Sequence, residues 1–123
     1  MTRAADVKVM RMDGTVGIID LTPTPLTTVA PGEWKRVSGS QPGFVHIRAG
    51  GTSPVITFTV EASNDELSTT GVPIFGTTAD PVTISGDLTS EGFVLYAGCA
   101  FVRINPLSFS GTGANLTATV AYP

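Results

Sequence analysis

Apolar and polar residues alternate in steps of two through several short stretches of the chain. In Val55-Ile56-Thr57-Phe58-Thr59-Val60-Glu61-Ala62, the residues Ile56, Phe58, Val60 and Ala62 share one face while Thr57, Thr59 and Glu61 take the other. Successive side chains of a strand point to opposite faces, so this spacing predicts a half-buried antiparallel strand. The end of the chain reads the same way, with Leu116, Ala118, Val120 and Tyr122 on one side and Thr117, Thr119 and Ala121 on the other. Residues 93–97 and 100–104 flank Gly98-Cys99, a two-residue spacing with glycine first that predicts a hairpin. Shorter strands are expected at residues 7–12, 15–20, 44–48, 73–75 and 81–85. Turn-rich pieces such as Asp13-Gly14, Ala49-Gly50-Gly51 and Gly111-Thr112-Gly113 separate them. Gly or Pro interrupts nearly every window long enough for three helical turns.

Many short strands without intervening helices predict an all-β fold, an antiparallel β-sandwich of jelly-roll or Ig-like type, with a small barrel as the competing architecture. The length, 123 residues, fits a single domain spanning the chain. Within it, alternating prolines in residues 21–32 favour an extended path, dividing an N-terminal arm or hairpin (residues 1–20) and its Pro-rich linker from a body at residues 33–123. The arm is either the first two strands of the same sandwich or a segment that reaches a neighbouring subunit.

Composition narrows the partners. Charged residues make up 14% against 41% hydrophobic, and the remainder is rich in Thr, Ser, Gly and Pro, so the surface is hydroxylated rather than ionic. The net charge of −3 and the scatter of Arg3, Lys8, Arg11, Lys35, Arg36, Arg48 and Arg103 give no basic patch, which argues against nucleic acid. No stretch is apolar and long enough to span a bilayer, and the first residues lack the apolar run of a signal peptide. Cys99 is the single cysteine, so no intrachain disulfide forms, and synthesis in a reducing cytoplasm is expected. Asn115-Leu116-Thr117 matches a glycosylation sequon but reads as part of a Thr-rich strand.

The inventory for catalysis is thin. His46, the sole histidine, lies mid-strand beside Phe44 and Arg48, and no triad is expected around it. One His and one Cys do not build a zinc site, and Asp65, Glu66, Asp80, Asp87 and Glu91 read as solvated turn carboxylates without a calcium-loop spacing. The glycine pairs open no helix and form no phosphate cradle. These features point away from an enzyme and assign no catalytic, cofactor or metal residues. Trp34, just after Pro31-Gly32, is either a lid on the core with its N–H in water or an exposed anchor for a partner; the lid suits a lone tryptophan at a strand entry.

Residues 56–65, then Phe93-Val94-Leu95-Tyr96-Ala97, Phe101-Val102-Arg103-Ile104-Asn105, Ser108-Phe109-Ser110-Gly111-Thr112-Gly113 and the closing Thr-rich strand together resemble small β-sandwich structural proteins of tailed-phage virions. The resemblance covers about half of the chain. It implies a capsid cement or decoration protein, made in the host cytoplasm and located in the virion, homo-oligomeric (a trimer among the options), with the major capsid protein or another virion protein as partner. The interface candidates are Val7, Val9, Met10 and Met12 of the arm, with Trp34. The Ser-Asn-Asp loop and the Phe-Val-Arg-Ile strand are also similar to discoidin-like carbohydrate-binding modules. That resemblance implies instead a receptor- or glycan-binding module of a fibre, spike or cell surface, for which Trp34, Phe75 or Phe109 would have to be exposed and clustered.

Overall fold

The computed structural model describes residues 17–96 and 98–123, and within them every regular element is a strand. No helix there is long and apolar enough to cross a membrane. The strands are β1 (Gly17–Asp20), β2 (Lys35–Arg36), β3 (Gly43–Ser63), β4 (Val72–Phe75), β5 (Val82–Ser85), β6 (Ser90–Leu95) and β7 (Phe101–Tyr122). All pairings are antiparallel and belong to one seven-stranded sheet. The all-β class follows as the alternation required. Among the described residues the strands join into one continuous sheet, because β3 and β7 run through its whole length, paired from Phe44 with Ala121 to Ser63 with Phe101.

These two long strands bend where the sequence carries its glycine pairs. Register irregularities fall at residues 50–55 of β3, and Gly51, Ser53, Gly111 and Gly113 all have positive φ. The bend also changes which residues face inward. Val45, Ile47 and Ala49 are buried before it, and Ile56, Phe58 and Val60 after it. In β7 a bulge at Leu107, between the pairs Thr57 with Ser108 and Phe58 with Pro106, makes a second change of face. The sheet therefore curls, and both halves contribute to one core that includes Val45, Ile47, Phe58, Val60, Ile104, Leu116, Val120 and Tyr122. Ser38 N–H donating to Tyr122 Oη (3.1 Å) and the stacked rings of Phe75 and Phe93 (centroids 4.5 Å apart) join the two ends.

The residues before β3 follow the free side of β7. β1 pairs with residues 122–119, and Leu21 N–H donates to Ala118 O. Leu26 bridges Leu116, Gly32 N–H donates to Ile104 O, and β2 pairs with residues 102–101. Gly17–Asp20 and the Pro-rich segment are thus part of the body rather than an arm and linker. Between the short outer strands β1 and β2, the proline-rich backbone lies along β7 with few free N–H groups to offer.

On the far side of β3, β4, β5 and β6 pair in succession with residues 62–60, 58–55 and 48–43, and the 86–89 turn hugs the bend through Gly86 N–H to Pro54 O and Leu88 N–H to Ala49 O. The hairpin expected at Gly98-Cys99 is absent. β6 pairs with the first half of β3, whereas the start of β7 pairs with its second half and with β2. The connection after β6 crosses between the halves of the curled sheet instead of turning back along one strand.

Candidate functional site

Two places in the fold concentrate side chains that the alternating pattern leaves unexplained. The first is a polar cluster on the outer face of the sheet. Glu61 and Arg103 are cross-strand partners, and Arg103 Nε donates to Glu61 Oε1 at 2.8 Å with both side chains nearly buried. Arg103 Nη2 donates to Thr69 O (2.9 Å), and Asn105 Nδ2 donates to Glu61 Oε2 (3.3 Å). Lys35 opposite Val102 places Trp34 beside Arg103, and the guanidinium lies over the indole at 4.2 Å from its centroid.

Trp34 Nε1 donates to Ser68 O at 2.9 Å. The tryptophan is a lid, but over an ion pair rather than the apolar core, and its N–H is bonded to protein instead of facing water. The cause is register: position 34 extends β2 along the outer face, where Arg103 already stands. Thr59 and Glu61, placed on the wet face by alternation, are buried here, and Gly71 and Trp34 pack beside Glu61 and its partner Arg103. The ion pair has its hydrogen bonds directed to Thr69 and Asn105, so it ties loop and strands together.

The second place is an apolar groove of about 620 Å³ between β4 and β6, lined by Ala62, Ile74, Phe75, Phe93, Leu95 and Tyr96 among others. Phe93 and Leu95 alternate inward along β6, and Phe75 stacks on Phe93 from β4. Of its lining, Ile74, Val94 and Tyr96 (76% exposed) stand in solvent, and Val72 (67%) is exposed on β4. Gly98 and Cys99 close one end of the groove. Burial pushes the Cys99 thiol above its ordinary value, so it stays protonated and inert near neutrality. Tyr122 is likewise raised by burial, further by the nearby Cys99, and lowered in part by its bond from Ser38. Among the described residues nothing pairs with the outer edge of β4, β5 or β6, since all three bond only to β3.

The other candidate residues stand apart from one another, and Val7, Val9, Met10 and Met12 lie outside the described residues. His46 is exposed, and its Nε2 lies 2.8 Å from Ser90 Oγ, in a shallow depression with Arg48, Thr117 and Thr119. Asp87 accepts Gly51 N–H at the bend, and Asp65 accepts Leu67 N–H in its turn. Among the described residues no three His, Cys, Asp or Glu side chains gather. Trp34, Phe75 and Phe109 are each half-buried, and the described ring contacts join Phe75 only to Phe58 and Phe93. The groove escapes a reading of the sequence because its walls come from strands that pair with distant halves of β3; the signal available is the surplus of apolar residues in 72–75 and 93–96. No family model, curated protein or solved structure is significantly similar to this chain.

Proposed function

We propose that the protein is a non-enzymatic structural component of a tailed-phage virion, a cement-type protein that stabilises a shell by covering seams between subunits. The observation that supports this reading is the β4–β6 side, which has no strand partner beyond β3 among the described residues and where the exposed Ile74, Val94 and Tyr96 line an apolar groove. An exposed apolar edge promotes association unless another chain covers it. Each square ångström of apolar surface buried there contributes about 25 cal/mol, and a symmetric shell repeats the contact many times, so modest single interfaces suffice. The hydroxyl-rich remainder of the surface costs less to desolvate than an ionic one.

Light scattering at several concentrations, followed by a glycan array, tests the proposal. A homo-oligomer of constant mass with no sugar signal is the expected outcome. A monomer that binds glycans would move the protein to the receptor-binding class and end this reading.

A further inference from the structure

Among the described residues only two that are not glycine have positive φ, Ser53 (47°) and Leu88 (61°), and both lie at the bend of β3. Leu88 is the third residue of a turn closed by Thr89 N–H donating to Gly86 O (3.3 Å). Glycine and asparagine adopt positive φ at that position readily, whereas the Cβ of a leucine is crowded against the neighbouring carbonyl. The conformation is imposed from outside the turn. Leu88 N–H donates to Ala49 O and Gly86 N–H to Pro54 O (both 2.9 Å), Ala49 N–H donates to Thr89 O (3.0 Å), and Gly51 N–H to Asp87 Oδ1 (3.2 Å). None of these bonds uses the leucine side chain, which stands 66% exposed. Asparagine would serve the fold better, so a strained leucine facing solvent points to a contact outside the chain.

The same molecule carries a receptor of matching chemistry. All the lining of the 620 Å³ groove lies within residues 62–99, chiefly Ile74, Phe75, Phe93 and Leu95, and Leu88 has no part in it. The turn sits beside Ala49, whereas Phe93 and Leu95 pair with Val45 and Gly43, four and six residues further along β3. Four residues of strand span about 14 Å, beyond the reach of a leucine side chain, so Leu88 cannot fill its own groove.

We propose that Leu88 of one copy seats in the β4–β6 groove of a second copy, a head-to-tail contact in which each molecule gives one leucine and offers one groove. The inference deepens the assembly function proposed above and rests on it. Leucine and groove are different patches at opposite ends of β6, so the contact is heterologous: it repeats from copy to copy and ends only when a ring closes. A closed ring has the constant mass that the cement reading requires. The pinned turn presents Leu88 in one conformation, so docking has little left to order.

Two experiments on the full chain test the proposal. In the first, Leu88→Asn removes the side chain and relieves the backbone. It is expected to raise the melting temperature of dilute, dissociated protein by about 4 °C and, in light scattering on dilution, to weaken association by about tenfold or more. A lower melting temperature would show that the leucine serves the fold, and unchanged association would show that it anchors nothing; either result defeats the proposal. In the second, Leu88→Asp protein and Ile74→Lys/Val94→Lys protein each lack one half of the contact. Each is expected to be monomeric alone, and the equimolar mixture is expected to form a complex of two chains and nothing larger. A mixture that stays monomeric, or one that grows beyond two chains, overturns the pairing of this leucine with this groove. An oligomer that survives Leu88→Asp refutes the head-to-tail contact but leaves the assembly function standing, whereas an unsubstituted chain that is monomeric throughout defeats both.

Discussion

At the scale of single residues, the buried ion pair is the feature with the sharpest energetic consequence. Removing Arg103 leaves the Glu61 carboxylate in a site from which Trp34 and the 64–71 loop exclude water. Arg103→Met is expected to cost about 3 kcal/mol, read from urea unfolding midpoints. Replacing both partners, Glu61→Leu with Arg103→Met, removes the stranded charge and is expected to return stability to within about 1 kcal/mol of the parent. A double variant as weak as the single one would show that the pair stabilises through more than mutual compensation. This cluster is only half legible in the sequence. Alternation places Ile56, Phe58 and Val60 inside, where they are, but puts Glu61 in water, because Trp34 and the 64–71 loop meet beside it only in the folded chain and leave no trace in the local pattern.

Cys99 and Tyr122 give a second residue-scale expectation. Burial raises both groups, so the folded chain holds their protons more tightly than the unfolded chain does. Their contribution is fully present below the ordinary values of 9.0 and 10.0 and is lost as pH rises through the raised ones. Unfolding free energy is therefore expected to fall as pH rises beyond 9.0. The variant Cys99→Ser removes the thiol and should flatten the start of that decline; an unchanged pH profile would count against a buried thiol.

At the scale of elements, glycine pairs that read as turns between strands prove to be bends within them. The local signal is the same in both cases, since each needs positive φ and a close backbone approach. What decides is whether the flanking segments pair with each other or run on beside a third, and residues 43–63 and 101–122 run on beside one another. The hairpin expected at Gly98-Cys99 fails for the same reason: the spacing carries no sign that β6 and β7 bond to different halves of β3.

The bend and the crossing respond differently to the same substitution. A Cβ at Gly111 (φ 105°) would stand 2.6 Å from Thr52 O and 2.8 Å from Ser53 O, whereas one at Gly98 (φ 118°) meets nothing within 4 Å. Gly98→Ala is expected to cost about 1 kcal/mol of backbone strain, and Gly111→Ala at least about 2 kcal/mol because the neighbouring strand must also shift. Equal losses in thermal or urea unfolding would place the bend elsewhere.

At the scale of the whole molecule, the described residues form a curled sheet in which residues 17–37 line one side and β4, β5 and β6 have no strand partner other than β3 on the other. Composition foretells a hydroxylated exterior, and alternation foretells the class, but neither reveals this asymmetry. It emerges only when residues 17–37 lie along β7 and leave β4, β5 and β6 outermost. If assembly proceeds through the β4–β6 side, lysines placed there should abolish it without unfolding the protein, since charge on an edge opposes pairing while exposed substitutions change stability by about 0.5 kcal/mol or less. Ile74→Lys with Val94→Lys, at positions 39% and 47% exposed, is therefore expected to yield a monomer of nearly unchanged melting temperature. Ile18→Lys, 66% exposed on β1 beside the covered edge, should leave the mass as it was. Were the Ile18 variant the one to fall apart, the contact would lie on the β1 side of the sheet. The β4–β6 side would then be guarded by the twist and the prolines of β4 rather than by a partner.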